Sequence, residues 1–213
     1  MTCCGHCEDA GDFFNEKTAR KDLKRYRRRG PEKSTRLLIE SILAQDVKDK
    51  KLLDIGGGIG AIQFGLFKNG LQYSINVDAS RAYQTVAKQE AHERGLPDQT
   101  EYHFGDFTEM AASLPDADIV TLDKVICCYP DLEKLLTSSL EKTGSVYALI
   151  FPRENFYTRI GFKLVNLWFR IRGSEFRTYL HPYEKVDAII RSFGFKQTSL
   201  DYTILWRVLV YRK

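Results

Sequence analysis

The chain has 213 residues, 43% hydrophobic and 28% charged, which fits one domain, or one domain with a small appendage, and allows a substantial buried core. Its longest apolar runs, such as Val146 to Phe151, fall far short of the roughly 20 residues of a membrane-spanning helix, and five cysteines are a poor disulfide framework for a domain of this size. The net charge of +4 hides an asymmetry: Lys17 to Arg36 holds ten Lys/Arg against Asp22 and Glu32, whereas residues 51 to 150 hold eight Lys/Arg against fourteen Asp/Glu.

In chain order, residues 1–12 read as a loose, Cys-rich tail. Its start, Met1 to Cys7, lacks the basic head and apolar middle of a secretory signal, so a cytoplasmic location is expected. Cys3, Cys4, His6 and Cys7 are soft ligands at close spacing. A structural zinc site usually needs a second, distant pair, so thiols are expected there and no metal site. Residues 13–50 read as two basic helices, Phe13 to about Arg29 and Glu32 to about Ala44, separated by Gly30-Pro31.

From residue 51 to 213 the pattern alternates. Strands are predicted at 51–55, 72–77, 101–104, 118–122 and 145–151, and helices at 61–69, 80–94 and 131–141. This rhythm implies an α/β fold, a Rossmann-like doubly wound sheet, mostly parallel, with helices on both faces. After a helix at 183–193, two strand-like segments, 196–202 and 204–211, follow almost without a linker. No crossover fits between them, so they should close the sheet as a C-terminal antiparallel hairpin.

The sharpest local signal is Leu52-Leu-Asp54-Ile-Gly56-Gly-Gly58-Ile-Gly60, between the first strand of the alternating region and its helix. Ligands of open α/β sheets bind at the carboxyl ends of strands, where a glycine turn lets the backbone come close. Gly56, Gly58 and Ala61 with Asp78 also satisfy the dinucleotide fingerprint, which keeps an NAD-dependent oxidoreductase as one alternative. Asp54 favours S-adenosylmethionine, because a carboxylate there suits a cationic ammonium and would repel a pyrophosphate. Asp78 then accepts from ribose hydroxyls, and Asp106, after the third strand, from the adenine amino group. The bland reading is that these aspartates only cap helices or turns.

At these residues the sequence resembles the class I S-adenosylmethionine-dependent methyltransferases. Its second half is most similar to magnesium-protoporphyrin IX O-methyltransferases, through Leu122-Asp123-Lys-Val-Ile-Cys-Cys-Tyr129-Pro130, Phe156-Tyr157 and Arg177-Thr-Tyr179-Leu-His181. That family has a histidine before the Tyr-Pro where this chain has Cys127-Cys128. The whole chain, with its Arg-Arg-Arg-Gly-Pro and Cys-Cys-Tyr-Pro runs, also resembles a group of bacterial methyltransferases. The resemblance implies methyl transfer to a small anionic or aromatic acceptor, with O-methylation of a carboxylate, as in the tetrapyrrole enzymes, among the options.

A carboxylate acceptor needs no strong base; a phenol, alcohol or amine does, and the candidates are His181, Tyr129 and Asp123. Tyr157, Trp168 and Tyr179 are candidate substrate contacts. The segment 155–173, apolar with Arg159, Lys163, Arg170 and Arg172 interspersed, reads as a lid, as an interfacial anchor giving peripheral membrane contact, or as an ordinary core helix. The basic run at 17–36 keeps an RNA methyltransferase as a further alternative. No RNA-binding module is appended, however, and the expected partner is a small-molecule acceptor and not a nucleic acid.

Overall fold

The structure, a computed structural model, describes residues 13–213, so the Cys-rich segment with Cys3, Cys4, His6 and Cys7 lies outside the described residues. Two helices come first, α1 (Glu16–Arg29) and α2 (Lys33–Leu43). Asn15 caps α1 by accepting from the Thr18 backbone N–H, and three arginines occupy its last turn, where the helix dipole favours cations. Gly30, at φ 74°, ends it with its N–H on the Tyr26 carbonyl, and Pro31 follows.

The alternating region contains β1 (Lys51–Ile55), α3 (Ala61–Phe67), β2 (Tyr73–Asp78), α4 (Arg81–Glu93), β3 (Thr100–Phe104), α5 (Phe107–Met110), β4 (Ala117–Asp123), α6 (Leu132–Glu141) and β5 (Thr143–Pro152). A long helix, α7 (Phe156–Ile171), is followed by α8 (Tyr183–Ser192), β6 (Lys196–Tyr202) and β7 (Trp206–Arg212). The seven strands lie in the order β3-β2-β1-β4-β5-β7-β6. The first five are parallel, while β7 runs antiparallel to both β5 and β6, as the near-absent linker between the last two strands requires.

Strand alternation divides the core into two layers. Leu53, Val120, Leu149 and Leu209 point to the face covered by α5, α6 and α8, and Leu52, Ile119, Ala148 and Val210 to the face covered by α2 and α3. β5 contributes Tyr147, Leu149 and Phe151 to one layer and Val146, Ala148 and Ile150 to the other, all essentially without solvent contact. A third cluster, Ala19, Leu23 and Tyr26 with Phe64, Tyr83 and Val86, holds α1 against α3 and α4.

Polar contacts reinforce that third junction. The buried Glu90 accepts from Arg27 of α1 at 2.7 Å and from Arg94 at 2.7 Å, and Arg27 also pairs with Glu93. Tyr83 donates to Asp22 at 2.6 Å, and Ser80 to the Phe14 carbonyl at 2.6 Å. Part of the basic run is thus consumed inside the fold.

The first helix and the last strand differ from the sequence reading, and α5 has no counterpart in it. The helix read from Phe13 starts at Glu16, where Asn15 caps it, and Phe13 and Phe14 pack on Phe169, Phe176 and Tyr83. The last strand starts at Trp206, because Thr203 bonds back to Trp206 and uses Ile204 and Leu205 as a turn. No helix among the described residues is long and apolar enough to cross a membrane.

Candidate active site

The strand order reverses between β1 and β4, and a cavity of about 720 Å³ opens beyond the carboxyl ends of the strands there. Asp54, Asp78, Asp106, Asp123 and Tyr129 all line it, as do Gly56 and Gly58. The aspartates at three strand ends therefore share one cleft. Gly60, the N-cap of α3, ends the loop just outside the lining.

The glycine loop is bent in a way only glycine accepts cheaply. Gly56 has φ 64°, and a Cβ there would come within 2.5 Å of a Val125 methyl. Gly58, at φ 54°, turns its N–H onto the Asp78 carboxylate at 2.9 Å. The other Asp78 oxygen accepts from the Ser80 N–H at 2.7 Å. Each oxygen keeps lone-pair capacity toward the cavity.

Asp54 is 1% exposed; one oxygen accepts from Thr121 at 2.6 Å, and the other has no hydrogen-bond partner among the described residues. Burial raises its pKa to about 7, against the Thr121 hydrogen bond, with the Asp123 and Asp78 charges adding to the rise. Burial likewise raises Asp78 to about 6, with its two backbone hydrogen bonds opposing. A buried carboxylate with an unanswered oxygen is costly unless a ligand supplies a donor or a positive charge.

Asp106 does cap a helix, accepting from the Thr108 N–H at 2.8 Å, and both its oxygens also receive the Tyr129 hydroxyl at 2.9 Å. It thus keeps the bland role while facing the cavity. Asp123 accepts from Thr35 at 2.5 Å and pairs with Lys124 at 3.2 Å, and Lys124 pairs with Glu32 at 3.0 Å.

The remaining candidates stand elsewhere. His181 is outside the cavity lining: its Nε2 lies 3.0 Å from the Ile126 carbonyl, its ring stacks on Tyr179, and burial lowers its pKa. Tyr179, also outside the lining, donates its N–H to the Cys127 carbonyl at 2.7 Å. Together these two fasten residues 177–181 to the 126–128 turn, which carries the two thiols into the cavity wall. Tyr157 (75% exposed) and Trp168 (42% exposed) lie on the outer face of α7.

The cavity also has an aromatic wall, Phe13, Phe14, Phe162, Phe176 and Trp206, of which only Phe162 lies in a segment, 155–173, that the sequence reading offered as a lid. These residues come from four distant parts of the chain, and none belongs to a motif. Their only sequence signal is aromatic density.

Residues 53–141 match the family described as methyltransferase domain. This chain carries a methyltransferase domain. That match, together with the fold, supports a class I, S-adenosylmethionine-dependent methyltransferase and favours it over the NAD alternative. No curated protein matches the sequence. Among solved structures the methyltransferase is similar to magnesium protoporphyrin IX methyltransferase from Synechocystis with bound SAH, at 18% identity, 96% coverage of this chain, 98% of that chain and a TM-score of 0.71. It is similar as well to an O-methyltransferase family 2 protein from Planctomyces limnophilus in complex with apigenin, at 17% identity, 84% and 61% coverage and a TM-score of 0.62. Likeness at these identities concerns the fold.

The residues fit S-adenosylmethionine. The unanswered oxygen of Asp54 matches a cationic donor, and the lone pairs of Asp78 at the end of β2 match ribose hydroxyls. The side-chain-free bend at Gly56 to Gly58 lets the ligand approach the backbone.

Proposed function

We propose that this methyltransferase acts on an electrically neutral, apolar or aromatic small molecule held against the aromatic wall of the cavity. The observation that carries this reading is the charge of the lining. Six carboxylates face two cations, Arg25 and Lys124, and both cations are already paired, Arg25 with Glu32 at 2.9 Å and Lys124 with Glu32 and Asp123. Such a site favours a sulfonium donor. A carboxylate acceptor, the option implied by the tetrapyrrole resemblance, would meet net negative potential with no uncommitted cation in the lining.

In this reading Asp54 holds the ammonium of the donor, Asp78 the ribose hydroxyls and Asp106 the adenine amino group, while Gly56 and Gly58 leave room for the backbone to close on it. S-adenosylmethionine supplies an electrophilic methyl carbon. The chain's own residues orient the acceptor atom in line with it and exclude water, a role suited to Phe13, Phe14 and Phe176. An acceptor hydroxyl or amine passes its proton to Asp123, the carboxylate among the three candidate bases and part of the cavity lining. Tyr129 holds Asp106 in place, and His181 holds the 126–128 turn.

The test uses methyl-labelled donor, purified protein and cell extract. Label should enter an organic-soluble product from which mild alkali releases no volatile methanol. Label released entirely as methanol would mean a carboxyl ester and overturn the neutral-acceptor reading. No transfer to any fraction, with donor bound, would overturn catalysis itself.

A further inference from the structure

Helix α7 has two unlike sides. On its inner side Thr158 and Phe169 are buried, and Phe162 and Val165 line the cavity. Its outer side carries Phe156, Ile160, Leu164, Leu167 and Ile171 at spacings of four, four, three and four, which is one stripe of an α-helix. These five are between 42% and 76% exposed, and none belongs to any of the three core clusters.

The apolar surface continues beyond the helix. The β6–β7 turn presents Ile204, 82% exposed, and Leu205. That turn is tied to the start of α7 by the Asn155 side chain on the Ile204 carbonyl at 3.3 Å, and by the Arg153 N–H on the Leu205 carbonyl at 2.8 Å.

Charge identifies what covers this face. Arg159, Lys163 and Arg170 line one edge of the stripe and Arg172 follows it, while residues 155–173 contain no Asp or Glu. None of these four cations is paired with a carboxylate among the described residues. The helix is 16 residues, about 24 Å long and too short to span a bilayer, yet it combines an apolar stripe, aromatic residues and an all-basic margin.

We propose that the outer face of α7, with the β6–β7 turn, docks in the plane of an anionic lipid bilayer. The stripe enters the acyl boundary, and Arg159, Lys163, Arg170 and Arg172 meet the headgroups. Docking stands independently of the catalytic reading. Where it also rests on that reading, it specifies the acceptor as a membrane-dissolved apolar molecule, because the opposite side of the same helix forms part of the cavity wall.

The experiment is flotation of the full chain with vesicles of phosphatidylcholine alone or mixed with phosphatidylglycerol. The protein should float with the mixed vesicles and not with phosphatidylcholine alone, and high salt should release it. L164E/L167E should weaken partitioning at least about 100-fold, and R159E/K163E about tenfold or more. Both variants should keep the wild-type thermal shift with S-adenosylmethionine, which reads the cavity separately. Absence of flotation with phosphatidylglycerol, or equal flotation with both vesicles, would overturn the proposal. So would a lipid-free dimer in sedimentation that L164E/L167E abolishes, because a second copy would then be the occupant.

Discussion

Asp54 offers the most demanding test of the cofactor assignment. Burial holds its carboxyl at a pKa of about 7, so before donor binds at pH 5 only about 1% of the protein carries the anion that an ammonium would meet. If binding requires the ionised form, the apparent Kd scales with one plus the ratio of protonated to ionised protein, which falls from about 100 at pH 5 to about 2 at pH 7. Affinity for S-adenosylmethionine should therefore rise about 50-fold over that range, about 2.3 kcal/mol. The range stops at pH 7 because a free amino group begins to lose its own proton near pH 8. Calorimetry in two buffers of different ionisation enthalpy at pH 6 should show close to one proton released on binding. Asp54→Asn should remove most of the pH dependence, leaving at most about tenfold from Asp78, whose pKa is about 6. Thr121→Val deletes a hydrogen bond that favours the anion and should move the midpoint above 7. An affinity constant within a factor of two from pH 5 to pH 7 would refute the pairing of Asp54 with the donor.

Asp54 holds its proton more tightly folded than unfolded, so the stability it confers is complete below pH ~4 and is lost as pH climbs through about 7. The cofactor-free Asp54→Asn chain should accordingly melt about 5 °C or more above wild type at pH 8, with the gap closing toward pH 5 in calorimetric scans. Glu90→Ala should destabilise the chain by about 1–3 kcal/mol in urea unfolding, because it removes the carboxylate shared by Arg94 and Arg27 and leaves Arg27 only its pair with Glu93, and it should also weaken donor binding by loosening α1 from α4. Tyr129→Phe should cost about 1–2 kcal/mol of donor binding by freeing Asp106 to turn away; an unchanged Kd would deny Tyr129 that positioning role. Gly56→Ala, with its methyl driven against Val125 at positive φ, should abolish the S-adenosylmethionine thermal shift while far-ultraviolet dichroism stays near wild type.

The parallel half of the sheet was readable because its signals are local. Strand alternation, the glycine bend after β1 and an aspartate at each successive strand end are separated by one helix apiece, and the parallel topology then forces them together. The antiparallel end was legible for a similar reason, since β6 and β7 leave no chain for a crossover. The aromatic wall was not legible, because Phe14, Phe176 and Trp206 converge only through the packing of α1, the 174–181 segment and the last strand. His181 shows the complementary difficulty. A histidine beside the expected acceptor region reads as a base, but a nearby backbone carbonyl engages its ring and turns it into a brace. For α7 the pattern showed an amphipathic helix without saying which side faced inward, and burial of Phe169 against exposure of Ile171 decides it.

The insertion of β7 between β5 and β6 sets an order of events during folding. Although β6 precedes β7 in the chain, it joins the sheet only through β7, so it cannot be added before β7 has paired with β5. Until that pairing β5 has a bare edge, and the layer that includes Val208 and Val210 is incomplete. The placement of Trp206 at the cavity therefore comes with the late closure of the sheet and not with its parallel half.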